Sequence, residues 1–237
     1  MRLFCFPKRL SGLSLLVIIA LSLMYIVAGA GKAAAGEDAS TTTTIMAEMH
    51  RIMGNITDTR YQHSTEVSEE QGHYYVDCSG LVLYVMSRAC PDRLARMREV
   101  IGRERLTATN FYNCFDQMSR APDPEWLLVN KVIDIQPGDI IVWKREPPQP
   151  GNTGHIVFAD SSATLVSPQL YAVTIIDSTT RPHWNDTRKE DQGGIGRGVF
   201  WIETDPEGRP KGFRRGTPQS SLNPAPMLIA RPIDDAK

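Results

Sequence analysis

The spacing of apolar residues predicts four helices in the first half of the chain. In each of these stretches apolar side chains recur every three or four residues, as they do on the buried face of a helix. The predicted helices lie at about residues 45–53, 78–89, 92–101 and 111–118. The residues expected to face the core are Ile45, Met49, Ile52, Met53, Leu81, Val82, Val85, Met86, Phe111, Cys114, Phe115 and Met118. Thr107 or Thr109 is expected to cap the last helix.

The second half of the chain shows short apolar runs separated by glycine and proline, which is typical of β-strands. The predicted strands lie at about residues 140–143, 155–159, 171–177, 198–203, 212–214 and 227–233. Residues 205–208 (DPEG) predict a hairpin turn. Residues 55–76 have no regular pattern and are expected to form a loop. Helices followed by strands predict an α+β fold, with N-terminal helices packed on an antiparallel β-sheet.

Residues 1–35 have the composition of a targeting segment. Three basic residues precede an almost uncharged apolar stretch at residues 10–28, and residues 33–35 (AAA) provide a small-residue cleavage pattern. The apolar stretch also approaches the ~20 residues that span a bilayer. We therefore predict either a cleaved signal peptide or an uncleaved membrane anchor, and no other membrane contact. In both cases the protein is exported, and its body is periplasmic or secreted.

The rest of the chain has an acidic balance, which argues against a nucleic-acid partner. Residues 1–35 contain four of the 26 lysines and arginines and no acidic residue, so 22 basic side chains remain against 27 acidic ones. Nucleic-acid-binding proteins usually have a basic surplus. The chain shows no internal repeat, and we predict a lead-in with one helix at residues 36–54 and a single domain at residues 55–237.

Three cysteines remain after residues 1–35, namely Cys78, Cys90 and Cys114. An odd number in an exported protein indicates a free thiol or an intermolecular bridge. Two arrangements are open: a disulfide between Cys90 and Cys114 with Cys78 free, or three reduced cysteines. The spacings are not those of a zinc site, so neither a metal nor another cofactor is predicted.

Cys78 is the candidate nucleophile because it opens an apolar helix. The positive end of the helix dipole and the unpaired backbone N–H groups there favour a thiolate, the reactive form of cysteine. A cysteine nucleophile needs a base, and the base needs an orienting group. His155 begins an apolar strand, and Asp177 ends the next one. If these strands pair about a centre near residue 166, His155 lies directly opposite Asp177, which can fix the imidazole.

Four stretches of the chain resemble, in the same order, the NlpC-type cysteine peptidases, which are papain-like cell-wall endopeptidases. The stretches are residues 77–82 (DCSGLV), 105–108 (RLTA), 136–140 (QPGDI) and 154–157 (GHIV). The resemblance covers about half of the chain and implies a papain-like fold. It also implies that Cys78 is the nucleophile, His155 the base and Asp177 the third member of a triad. Tyr61 and Ser79 are then expected to face the substrate or the oxyanion.

The resemblance also implies a function. A hydrolase of this kind cleaves amide or peptide bonds through a thioester, and peptidoglycan stem peptides are the expected substrate. An acyltransferase, or an amidase acting on another substrate, uses the same triad. A non-catalytic cell-wall-binding module with the same fold is a third alternative. The presence of cysteine, histidine and aspartate together favours an enzyme.

Two regions depart from the family pattern. Residues 62–64 (QHS) stand where the family usually has a Trp-Gly-Gly-like turn, and the third member is more often histidine than aspartate. After residue 178 a loop adds Arg181, His183 and Arg188. Its arginines are expected either to bind a substrate carboxylate or to pair with neighbouring acidic residues in solvent. His183 with Asp186 is a rival base pair or metal contact.

Overall fold

The computed structural model describes residues 40–149 and 152–234. The predicted targeting segment at residues 1–35 lies outside this part of the chain. Within it the protein has the mixed α+β fold predicted, with four helices, a three-stranded sheet and a nine-stranded antiparallel sheet. No helix of the described residues is both long enough and apolar enough to cross a membrane.

All four predicted helices are confirmed. Their bounds are α1 (Thr41–Asn55), α2 (Cys78–Ala89), α3 (Pro91–Ile101) and α4 (Ala108–Met118). Thr107 rather than Thr109 caps α4, because Thr107 and Asn110 form a capping box in which each side chain accepts from the other residue's backbone N–H. Pro91 stands at the first position of α3, where its missing N–H needs no partner.

The small sheet contains β1 (Asp58–Arg60), β2 (Glu66–Ser68) and β3 (His73–Tyr75), with β3 in the centre. A loop was expected at residues 55–76, and that expectation is wrong. The three strands escaped prediction because strands of three residues are too short to show an alternating pattern. Thr59 joins this sheet to the large one. Its buried hydroxyl donates to the Tyr74 carbonyl oxygen at 2.9 Å and accepts from the backbone N–H of Ile195 at 2.8 Å.

The large sheet contains the six predicted strands and three short ones that the sequence did not predict. Its strands are β4 (Trp126–Leu128), β5 (Ile140–Gln149), β6 (Asn152–Ala159), β7 (Thr164–Ser167), β8 (Leu170–Thr179), β9 (Gly194–Thr204), β10 (Pro210–Arg214), β11 (Leu222–Pro224) and β12 (Met227–Pro232). Their order is β11–β10–β9–β8–β6–β5–β12–β4, and β7 pairs with the beginning of β8. The predicted turn at residues 205–208 connects β9 to β10.

The large sheet has an apolar core on each face, because side chains alternate along its strands. On β5, Ile140 and Val142 belong to the core shared with the helices. Ile141 and Trp143 belong to a second core on the opposite face, together with Phe200 of β9. Burial on both faces makes β5 and its neighbours the rigid centre of the fold.

α1, which the sequence analysis placed ahead of the domain, packs in the same core as the other helices. Its Ile45, Met49 and Ile52 are fully buried between the helices and the sheet. Each such side chain contributes about 1.5–3 kcal/mol when it leaves water. α1 is therefore an integral part of the folded body.

Aromatic packing draws distant strands of the large sheet together. Trp143 on β5 contacts Phe200 on β9 and Phe213 on β10, with ring centroids 5.2 and 4.7 Å apart. β5 is not a neighbour of either strand in the sheet order, so the sheet must curl to make these contacts. The curl brings the β10–β11 region over the end of β5 and β6.

Gly154 allows β5 and β6 to approach closely immediately before His155. Its φ is +129°, a value that residues other than glycine rarely adopt. A Cβ atom at this position would lie 2.1 Å from the Trp143 carbonyl oxygen. The glycine of the 154–157 stretch therefore has a structural reason, since it sets the position from which His155 extends.

Gly154→Ala is expected to lower the free energy of unfolding by about 2–4 kcal/mol, because the added methyl group meets backbone and the φ value is strained. The matched control is Gly54→Ala, since a Cβ at Gly54 has nothing within 4 Å. The control is expected to be neutral or slightly stabilising. Urea unfolding measures both variants, and equal stabilities would contradict the close approach at Gly154.

Candidate active site

Cys78 is the first residue of α2, as predicted, and is largely buried. Asp77 caps this helix, since its Oδ1 accepts from the backbone N–H of Gly80 at 2.7 Å. The Ser79 hydroxyl donates to the same oxygen at 3.1 Å. The hydroxyl of Ser79 is therefore turned to Asp77 and away from a substrate. The sulfur of Cys78 lies at the positive end of the helix dipole.

The other carboxylate oxygen of Asp77 ties α2 to two neighbouring segments. Arg105 Nη2 donates to Asp77 Oδ2 at 2.6 Å, and His63 Nδ1 lies 3.1 Å from the same atom. Arg105 belongs to the 105–108 stretch, and His63 belongs to the 62–64 stretch. Both sequence stretches thus act on the residue that precedes Cys78, and they fix the start of α2.

His155 lies on β6 and faces both Cys78 and Asp177. Its Nε2 is 2.6 Å from Asp177 Oδ2, and its ring packs against Trp143 with centroids 5.0 Å apart. Cys78 lines the same cleft and acts electrostatically on the imidazole. Burial lowers the pKa of His155, but its interactions with Cys78 and with the Asp177 carboxylate outweigh burial and raise the pKa to about 9.

The strand register differs from the predicted one by two residues. Phe158 pairs with Ile176, so the pairing is centred near residue 167 and His155 is not directly opposite Asp177. The connection between the strands contains β7, which pairs with β8 on its own and displaces the centre. A shift of two residues keeps every side chain on its face of the sheet. His155 and Asp177 are therefore diagonal neighbours, and their side chains still meet.

Asp177 is fully buried and surrounded by donors. Its Oδ2 lies 2.6 Å from His155 Nε2 and 2.9 Å from His183 Nε2, and its Oδ1 accepts from Arg188 Nη2 at 2.9 Å. Burial alone would raise the pKa of Asp177. The attraction of His183 and the hydrogen bonds from both imidazoles outweigh burial and hold this pKa well below its ordinary value.

The loop between β8 and β9 folds into the protein, in contrast to the expectation of a substrate-binding or solvated arm. The Arg188 side chain is 1% exposed and donates to Asp186 at 2.6 and 2.8 Å and to the Gly194 carbonyl oxygen at 2.7 Å. The His183 side chain is 3% exposed. Neither His183 nor Arg188 can contact a substrate from these positions. Arg181 is exposed and is not among the residues that line the cleft at Cys78.

Glycines on β9 make room for this buried loop. A Cβ atom at Gly196 would lie 2.4 Å from Arg188 Nε, and one at Gly198 would lie 2.7 Å from Asp186 Oδ2. Asp186 also accepts from the backbone N–H of His183 at 2.8 Å. The predicted contact between His183 and Asp186 is therefore made through the backbone, while the imidazole turns to Asp177.

Tyr61 follows β1 and lines the same cleft as Cys78, with which it interacts electrostatically. Burial, together with the negative charges of Cys78 and Asp77, raises the pKa of Tyr61. The phenol consequently stays protonated at neutral pH and remains a donor. This position agrees with the role that the resemblance assigned to the residue.

Cys78, His155 and Tyr61 line a cleft of about 780 Å³. The charged side chains in this cleft are mostly basic. Arg105 is paired with Asp77, and Lys144 is paired with Glu146 at 2.8 Å. Arg145 and Arg215 also line the cleft and are exposed. Neither of these two has a carboxylate within 4 Å among residues 40–149 and 152–234.

Cys78 differs from the other two cysteines in its surroundings. All three are free thiols, so the predicted alternative of a Cys90–Cys114 disulfide is not formed. Burial raises the pKa of Cys90 to about 11 and also raises that of Cys114. Both are half-buried in the apolar core beside the helices, where a thiol is chemically inert.

His155, Asp177 and His183 have the side-chain types of a metal site, with ligand atoms within 4.8 Å of one another. Their distances do not suit a metal. Ligands of a tetrahedral zinc ion lie about 3.3 Å apart, whereas Asp177 Oδ2 and His155 Nε2 are 2.6 Å apart. The Arg188 guanidinium on the same carboxylate also opposes a second cation. The three groups form hydrogen bonds.

Comparisons with protein-family models, with curated proteins and with solved structures gave no match to this chain. The site is therefore interpreted from its own geometry. The sequence analysis named Cys78, His155, Asp177 and Tyr61 as site residues. In the structure Cys78, His155 and Tyr61 line the cleft, and the buried Asp177 is in contact with His155. It missed the roles of His183 and Arg188, for which the alternating glycines of β9 were the available signal.

The shifted pKa values predict how stability depends on pH. The folded pKa of His155 lies above its unfolded value of about 6.5, so its interactions stabilise the fold fully below that pH. This stabilisation is lost as the pH rises through about 9. The pKa of Asp177 is lowered instead, so its contribution is present above about pH 4 and is lost on acidification.

Urea unfolding of the wild type and of His155→Gln across this range tests the alkaline limb. The stability difference between the two proteins is expected to decrease between about pH 6.5 and 9. In this range His155 is protonated in the folded wild type and deprotonated in the unfolded wild type, whereas the variant has no such group. Lys189→Ala, an exposed change on the β8–β9 loop, is the control and is expected to follow the wild type. A gap that does not change with pH would contradict the raised pKa of His155.

Proposed function

We propose that this protein is an exported cysteine hydrolase that cleaves amide or peptide bonds with a Cys78–His155–Asp177 triad. The observation that carries the proposal is the arrangement of these groups at one cleft. A cysteine at a helix start lines the cleft together with a histidine, and Nε2 of that histidine lies 2.6 Å from a buried carboxylate. This is the relation of nucleophile, base and orienting group that covalent catalysis needs.

The proposed reaction begins with attack of the Cys78 thiolate on the carbonyl carbon of the scissile amide. The C–N bond then breaks, the amine leaves with the proton of the His155 imidazolium, and a thioester remains. Water attacks the thioester and gives a proton to His155, which releases the carboxylic acid and restores the thiolate–imidazolium pair. Asp177 keeps the imidazole in one tautomer throughout.

Two donors are proposed to hold the oxyanion of this reaction. Tyr61 lines the cleft with Cys78 and keeps its hydroxyl protonated, and the backbone N–H of Cys78 lies at the free start of α2. One donor of this type typically contributes ~10²–10³ in rate. The Ser79 hydroxyl is excluded from this role because Asp77 accepts its hydrogen bond.

A papain-like, NlpC-type fold is part of the proposal. The supporting observations are the cysteine on a helix, the histidine on a strand of the sheet beside it, and the acid on the adjacent strand. The anchoring of α2 by Arg105 and the close approach at Gly154 give physical roles to two of the stretches that carry the resemblance. Aspartate in place of histidine as the third member remains a departure.

Peptidoglycan stem peptides are the proposed substrate. Their carboxylates suit a cleft in which Arg145 and Arg215 are exposed without an acidic partner among the described residues. The rest of the chain after residue 35 has an excess of acidic residues, so the basic cleft differs from the average surface. The apolar, basic-flanked sequence of residues 1–35 supports export to the compartment that holds this substrate.

Digestion of purified peptidoglycan tests the proposal. Wild type and Cys78→Ala are incubated with the polymer, and the released fragments are identified by mass spectrometry. New amine and carboxyl ends are expected with the wild type only, and Cys114→Ala, which removes a thiol outside the cleft, is expected to behave like the wild type. Identical fragments from wild type and Cys78→Ala would contradict the proposed substrate.

A further inference from the structure

The environment of Asp177 contains two donors that the proposed triad does not use. His183 and Arg188 contact Asp177, and both side chains are almost completely buried. We infer that His183 and Arg188 are positioning residues that weaken the pull of Asp177 on the proton of His155. They would thereby set the acid–base balance of the site. The inference deepens the proposed function and rests on it.

His155 and His183 share one oxygen atom of Asp177. Asp177 Oδ2 is 2.6 Å from His155 Nε2 and 2.9 Å from His183 Nε2. Each N–H donor stabilises the carboxylate and reduces its attraction for a proton elsewhere. His183 therefore competes with His155 for the same negative charge. A triad in which the acid had no other donor would hold the imidazolium more tightly.

Arg188 brings a positive charge to the other oxygen atom of Asp177. Arg188 lies between two carboxylates, with Nη2 2.9 Å from Asp177 Oδ1 and 2.6 Å from Asp186 Oδ2. A fixed positive charge at this distance reduces the negative charge of Asp177 that His155 feels. Asp186 in turn holds the guanidinium in place through a second hydrogen bond, from Nε at 2.8 Å.

The remaining groups around the pair do not replace these two donors. Tyr61 and Cys78 line the cleft with His155 and make no hydrogen bond to Asp177 among the described residues. Arg215, after β10, attracts Asp177 through space without a hydrogen bond to it. On β6 and β8 the charged or titratable groups in contact are His155 and Asp177 themselves. His183 and Arg188 are thus the groups through which the balance is set.

The test replaces the donors while the ring and its packing are kept. His183→Phe removes the N–H but keeps a ring against Phe200, which the imidazole contacts edge-on. His183→Gln keeps a donor close to the position of Nε2. Arg188→Gln removes the cation, and Lys189→Ala is the control on the same loop. The readout is the titration of the His155 ring nitrogens, followed by ¹⁵N NMR, with circular dichroism as the folding check.

His183→Phe is expected to raise the titration midpoint of His155 by about half a pH unit, and Arg188→Gln by about one unit. His183→Gln and Lys189→Ala are expected to match the wild type. A purely structural role would lower stability without moving the midpoint. If Arg188→Gln does not fold, the comparison of His183→Phe with His183→Gln decides the question.

An unchanged or lowered midpoint in folded His183→Phe would overturn the inference. The proposed function fails on a different result, namely alkylation of wild-type Cys78 no faster than that of a simple thiol at about pH 6. Fast alkylation of Cys78 together with an unchanged His155 midpoint in the variants would contradict the inference alone. A raised His155 midpoint together with slow alkylation of Cys78 would contradict the proposed function alone.

Discussion

The buried carboxylate of Asp177 is the group on which the geometry of the site depends. A buried charge is unfavourable unless it is paired and hydrogen-bonded. Asp177 meets this requirement with three donors from two segments, because His155 comes from β6 and both His183 and Arg188 come from the loop before β9. The same contacts that make the charge tolerable fix the ring of His155. Stability and chemistry are therefore linked at one residue.

Two rigid elements then bring the reactive atoms together. α2 presents Cys78 from a start that is fixed by the contacts of Asp77, and β6 presents His155 from a position that only a glycine at residue 154 permits. The helix-side core joins α2 to the sheet. Placement on a helix and a strand, and not on loops, fixes the positions of the proposed nucleophile and the proposed base.

The part of this arrangement that could be predicted came from local patterns. Helical spacing located α2 with Cys78 at its start, and the apolar runs located His155 and Asp177 on adjacent strands, although β6 begins three residues before His155 and β8 ends two residues after Asp177. The predicted register was wrong by two residues, yet the contact was correct, because a shift of two preserves the face. An error of one residue would have removed it.

The rest depended on contacts between residues far apart in sequence or on strands too short to show a period. The small sheet that places Tyr61 has strands of three residues. Arg188 has the sequence of a solvated loop residue, and only the space left by Gly196 and Gly198 allows it to be buried. Local patterns do not report such tertiary space, although alternating glycines in a strand are a usable signal.

The central claim is that Cys78 is the nucleophile and His155 its base, and the rate at which Cys78 is alkylated tests it most directly. The measurement is the rate of modification by iodoacetamide at one near-neutral pH, followed by mass spectrometry of the protein, in the wild type and in His155→Gln. The account predicts that Cys78 of the wild type reacts faster than the thiol of a simple peptide and that His155→Gln removes this difference. Equal rates in the wild type, the variant and the peptide would contradict it.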